Sequence, residues 1–319
     1  MKWATKVFTL AALVLPAIAA AADSPNDLLA AGRVDDAIST LSGKLSSSPN
    51  DAASHNLLCR AYFAVGKWDS AISECEKAVS IEPSNGEYHL WLGRTYGEKA
   101  DSSNFLTAAG LAKKVHTEFE RAVQLDPGNV MARTDLAEFY LEAPGIVGGG
   151  QDKARAQADQ VAKLNPAKAH WIQGRLAEKN KDLTSAEKEY RAAIDASQGG
   201  ANAWLNLALF YRKNNRLDEM QDALKKAAAA PMDQPEVLVD AASTLLRANR
   251  DLPFATQLLR RYLSSSTVEQ APQFKAHYLL GNILEKQGDK QGAAKEYQAA
   301  LTMAKDFGRA REALNRVNQ

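Results

Sequence analysis

Gly145 and Gly150 stand in the spacing G-x-x-x-x-G, which opens a phosphate-binding P-loop. That chemistry needs a strand before the loop and a lysine and a hydroxyl after it, so that backbone N–H groups and an ammonium cradle the phosphate. Here the loop EAPGIVGGG follows LAEFYLEA, a helical stretch, and Gly150 is followed by Gln151 and Asp152. Asp152 would repel a phosphate. The stretch reads as an enlarged turn, with Pro144 ending one helix and the glycines allowing positive φ. No nucleotide or other cofactor is expected.

The remaining reactive residue types give no catalytic or metal constellation. The histidines are scattered, and neither H-E-x-x-H nor C-x-x-C occurs, so no metal site is expected. Glu187 and Glu189 lie on a charged, solvated helix. No nucleophile has a plausible base and orienting acid, so the chain is not expected to be an enzyme. Cys59 and Cys75 fall on facing helices where both should be buried. A disulfide needs their Cβ atoms about 4 Å apart, and the sequence leaves open a bond or two packed thiols.

These residues sit on a repeated framework. Ala37 and Pro49 recur as Ala71 and Pro83, each shifted by thirty-four residues. Apolar residues three and four apart stripe one face of each helix. Small residues let paired helices approach, and proline stops a helix just past its end. In WLNLALFY the pattern is filled by Trp204, Leu207, Ala208 and Tyr211; in HYLLGNIL by His277, Leu280, Gly281 and Leu284, followed by Ala293, Tyr297 and Ala300. In HLWLGRTY it is Leu92, Gly93 and Tyr96, with Phe119, Ala122 and Pro127 after an insertion.

On these residues the chain resembles the tetratricopeptide repeat (TPR) family along nearly its whole length after residue 22. The resemblance implies an all-α fold, an α-solenoid in which about seven to eight antiparallel helix hairpins wind into a right-handed superhelix over residues 23–319. The first unit is truncated to the stub NDLLAAG before its second helix, and FGRAREALNRV reads as a C-terminal capping helix. His55, His89, His170 and His277 all fall at the fourth position of their units, where the family packs a large residue between helices. Insertions at 101–110 and 144–150 fall at the hairpin tips of adjacent units and should lie side by side on one edge, a place where repeat arrays often bind.

In this family the first helices line a concave groove. Register then assigns it Asn56, Arg60 and Phe63 from the second unit, Leu90 and Arg94 from the third, and Thr134 and Glu138 from the fourth. Trp171 and Arg175 come from the fifth, Leu205, Leu209 and Arg212 from the sixth, and Tyr278 and Asn282 from the eighth. Aromatics and arginines anchor interfaces, and arginine takes a carboxylate bidentately. The expected ligand is an extended peptide or protein tail with acidic groups.

The expected address comes from the other end of the chain. Lys2 and Lys6 precede the apolar run VFTLAALVLPAI and a small-x-small site at Ala17-Ile18-Ala19, with Ala20–Ala22 as a competitor. Residues 1–22 are expected to be a cleaved signal peptide, which makes the protein periplasmic or secreted. No cysteine follows the run, so no lipoprotein is expected, and no later segment is apolar enough to span a membrane. Loss of the leader takes the net charge from +1 to −1, which excludes a basic nucleic-acid binder. Function is then expected to be that of a non-enzymatic scaffold or adaptor in the cell envelope. A structural, self-associating role and an accessory subunit of a secretion or transport machine remain as alternatives, and a homo-oligomer stays open.

Overall fold

A computed structural model describes residues 23–231, 234–265 and 267–319; the expected leader, 1–22, lies outside them. Seventeen α-helices and no strand occur among the described residues. They alternate as antiparallel pairs of a right-handed α-solenoid. The pairs are α1 (Pro25–Ala30) with α2 (Val34–Ser47), α3 (Ala52–Ala64) with α4 (Trp68–Ile81), and α5 (Gly86–Asp101) with α6 (Phe105–Leu125). The middle pairs are α7 (Val130–Glu142) with α8 (Gln151–Ala162), α9 (Pro166–Lys179) with α10 (Leu183–Ala196), and α11 (Ala201–Lys213) with α12 (Leu217–Ala229). Then come α13 (Glu236–Ala248) with α14 (Leu252–Leu263), α15 (Gln273–Lys286) with α16 (Lys290–Met303), and the single helix α17 (Gly308–Val317).

Local chemistry starts these helices. Asp51, Asn85, Asn104, Asn129, Asn165, Asp182, Asp251 and Asp289 each accept a backbone N–H of the first turn. Each such cap contributes about 1 kcal/mol. The helices of a pair meet where a small residue on the first faces a large one on the second. A Cβ on Gly93 would lie 2.6 Å from the Phe119 ring, one on Gly174 3.0 Å from Tyr190, and one on Gly281 2.4 Å from Tyr297. In the second unit the equivalent pair is Cys59 and Cys75. They are joined by a disulfide with Cα atoms 5.3 Å apart, so a covalent bond stands where other units pack a ring onto glycine.

The fourth-position histidines do more than fill space. The Nδ1 atoms of His55, His89, His170 and His277 each meet a glutamate on the partner helix, at 2.6 Å from Glu74, 2.5 Å from Glu118, 2.8 Å from Glu189 and 2.6 Å from Glu296.

The two ends of the solenoid meet. Leu28, Leu29, Val34 and Ala37 of the first unit share one buried cluster with Phe274, Ala300, Ala304, Phe307 and Ala310 of the last. The Lys305 N–H donates to Asp35 Oδ2 at 2.9 Å, and Lys67 Nζ reaches Asp306 at 2.5 Å. Gly32, at φ 73°, makes the turn between α1 and α2 and lets it approach α15, since a Cβ there would lie 2.7 Å from the Gln273 nitrogen. Each end therefore covers apolar surface that the other leaves open, and the array closes into a ring with the first helices lining its lumen.

Candidate functional site: the lumen of the ring

The lumen is built mainly from α3, α5, α7, α9, α11, α13 and α15. Of the residues that register assigns to it, Asn56, Leu90 and Leu205 are instead buried, at 2%, 3% and 4% exposure, and Thr134 is buried with them. All four occupy the fifth position of their units. Adjacent first helices pack against one another on the inner face of so tightly curved an array and cover that position in these four units, whereas the fifth-position Trp171 of unit five reaches the lumen. Tyr278 packs on Tyr297 and Phe307, with ring centroids 5.9 and 5.2 Å away, and Asn282 Oδ1 accepts from the Tyr297 hydroxyl at 2.8 Å.

The arginines of units two, three and five do reach the lumen, and the chain's own carboxylates hold them. Arg60 Nε donates to Glu269 Oε1 at 2.8 Å, and its Nη2 donates to Oε2 of the same group. Arg94 Nε donates to Asp135 Oδ2 at 2.6 Å. Arg175 donates to Glu138 at 2.7 Å and to Glu142 at 2.8 Å. Unit four is thus an acidic wedge between the arginines of its neighbours. Two tryptophans anchor this ladder. The Arg60 and Arg94 guanidiniums both lie 5.1 Å from the Trp91 ring centroid, and Lys168 and Arg175 lie 5.5 and 5.4 Å from Trp171. Such contacts contribute roughly 0.5–2 kcal/mol each.

Two large cavities open on this surface. One, about 660 Å³, lies at the seam between the ends and is lined by Phe63, Trp91, Met131, Phe139, Glu269 and Lys275 among others. The second, about 780 Å³, lies across units five to seven, where Trp171, Asn206, Leu209, Arg212 and Arg247 face it. Several charged groups of the lumen are partly desolvated by the surrounding protein. Burial pushes the Asp135 carboxyl up despite the attraction of Arg94. It pulls the Lys168 and Lys275 ammoniums down. Partial desolvation by the lumen wall, helped by Glu236, pushes Asp240 up to about 6. Among the described residues, no three His, Cys, Asp or Glu side chains converge as metal ligands would.

Sequence register missed Trp91, Asp135, Asn206 and Asp240, which share one further position that faces the lumen, and it missed Arg247. The departures of the seventh unit from the repeat hid Arg247. The signal for Asp135 was present as charge complementarity between Arg94 and the next unit.

The opening loop is a turn. Pro144 precedes a short 3-10 helix (Gly145–Val147), and Gly148 takes φ 108°. A Cβ on Gly148 would lie 2.7 Å from His116 Nδ1, on the lengthened helix α6. The loop of the second insertion therefore packs against α6, the helix that follows the first insertion. Apolar side chains of both insertions stand free, with Phe105 84%, Leu106 81% and Ile146 87% exposed.

Comparison with known proteins agrees with this architecture. Tetratricopeptide repeat models match residues 28–95, 149–201, 201–230 and 274–307. The chain is a member of the tetratricopeptide repeat family. Its fold is similar to that of yeast Tom70, at 16% identity and a TM-score of 0.55 over 89% of this chain and 58% of that one. A tetratricopeptide repeat protein from Parabacteroides merdae aligns at 16% identity and a TM-score of 0.42, over 84% of this chain and 99% of that one. Rat sperm-associated antigen 1 is 29% identical over 117 residues, 37% of this chain. The match spans only 12% of the length of that relative.

Proposed function

We propose that the protein is an exported, non-enzymatic scaffold of the cell envelope that receives an extended peptide or a segment of a partner protein in the lumen of its ring. One observation carries this reading: the two cavities of about 660 and 780 Å³ open on the same concave surface. They present aromatic and charged side chains there, the mix that anchors protein interfaces. The basic–apolar leader supports export. The Cys59–Cys75 disulfide supports an oxidising compartment.

The test is capture from envelope extract by the mature protein and by a Met131→Glu, Leu209→Glu variant of matched helicity. Both residues line the cavities. A partner lost with the variant supports the lumen. A partner retained by it but lost by Phe105→Ser, Leu106→Ser moves the site to the insertion edge. The exposure of those two side chains favours that second reading, in which the protein docks by its edge as a subunit of a larger envelope machine. Absence of any partner, with concentration-dependent oligomers, favours a structural self-associating role.

A further inference from the structure

The contact that closes the ring joins two unlike surfaces. One belongs to the first two units and carries Leu28, Leu29 and Val34. The other lies at the start of α15 and the turn into α17, and carries Phe274, Phe307 and Ala310. Two ion pairs cross the contact, Arg60 with Glu269 and Lys67 with Asp306. Both place the cation on the side of the first two units and the carboxylate on the other. Two like ends therefore repel, and a first end matches only a last end.

Elsewhere in the ring the chain itself runs from each unit to the next. Nothing covalent crosses the seam, because the disulfide lies inside the second unit. The chemistry of the seam does not distinguish the far end of its own chain from the far end of another copy.

We propose that the seam is also a self-association site, at which a second copy of this chain supplies the opposite end. The smallest product that leaves no apolar end uncovered is a reciprocal dimer, in which the first units of each copy take the last unit of the other. In that dimer the seam cavity of one copy is completed by Glu269, Gln270 and Lys275 of the other. Within one copy the ends meet at an effective concentration on the order of millimolar. The closed monomer therefore prevails until the seam is weakened or the chain is concentrated. This pairing is independent of what the lumen binds.

Charge reversal separates the two modes of closure. A chain with Arg60→Glu, Lys67→Glu meets its own Glu269 and Asp306 with like charge. A chain with Glu269→Arg, Asp306→Lys meets its own Arg60 and Lys67 in the same way. Neither closes on itself, or pairs with a copy of itself, without repulsion. In a mixture, each seam between the two kinds of chain joins opposite charges. The mature variants are compared by analytical ultracentrifugation, small-angle scattering and circular dichroism. Each alone should be an opened monomer, with wild-type helicity and a larger radius of gyration. The equimolar mixture should form a one-to-one dimer at a concentration at least roughly tenfold below that at which either component dimerises. A chain carrying all four substitutions should close on itself and recover the wild-type radius. A mixture no more associated than its components overturns the proposal, as do variants that keep the wild-type radius. Wild type supplies a second test that needs no substitution. Held at millimolar concentration in mild denaturant and then diluted, it should retain a dimer fraction, and a return to monomer alone overturns the proposal.

Discussion

Arg60 and Glu269, 209 residues apart in the chain, form a two-bond ion pair at the seam where the solenoid meets itself. Arg60 also lies over Trp91 of the next unit, so one side chain ties the closure to the lumen wall. An open array would leave both the guanidinium and the carboxylate without this partner.

Removing that tie should loosen the ring without unfolding the hairpins. Glu269→Gln keeps the volume and removes the charge, so Arg60 stays half-buried with a weaker partner. Stability is expected to fall by about 1–3 kcal/mol. Small-angle scattering should show a larger radius of gyration, while circular dichroism stays unchanged. An unaltered radius under mild destabilisation would mean that the apolar cluster around Phe274 and Phe307 alone holds the ends.

The disulfide of the second unit closes a short loop of sequence separation 16. Restricting the unfolded chain by a loop of that size stabilises by about 3 kcal/mol. Reduction, or Cys75→Ser, is expected to lower the melting temperature clearly, and an identical melting curve with and without reductant would contradict the bond.

Gly281 faces Tyr297 so closely that a Cβ would lie 2.4 Å from its ring. Gly281→Ala should therefore cost about 1–3 kcal/mol through overpacking. Addition of Tyr297→Leu should recover part of that loss in a double-mutant cycle. Gly43, with nothing within 4 Å of its would-be Cβ, is the control site for the same substitution.

His89 has an acceptor on each ring nitrogen, Glu118 Oε2 at 2.5 Å and the Pro83 carbonyl at 3.0 Å. Burial alone would lower its pKa, but the two acceptors outweigh it and the pKa is raised. The group therefore stabilises the fold fully at pH below the unfolded histidine value, about 6.5, and the contribution is lost as pH rises through the folded value. His89→Gln should destabilise more at pH 5.5 than at pH 8.5, as measured by denaturant unfolding.

Asp240 has the same sign from another cause. Desolvation by the surrounding lumen wall, followed by Glu236, pushes it up to about 6, so its ionisation opposes folding at neutral pH. Asp240→Asn should stabilise at pH 7.5 and lose that advantage below pH 4. Titration of the carboxyl carbon by NMR reads the pKa directly.

The hairpins, their period and the pairing of small with large residues were legible in the sequence. Gly281 and Tyr297 announce their contact by spacing alone, because helical period and close packing act over tens of residues. The seam was not legible. Whether Gly32 meets Gln273 depends on the curvature summed over eight units, and no local pattern carries that sum. The same curvature buried Asn56 and Leu90 between first helices and set Asp135 against Arg94. The sequence alone determined which helices form and how each folds onto its partner. The tertiary structure decided that the array closes and which charges pair inside it, because both depend on contacts between residues that are distant in the chain.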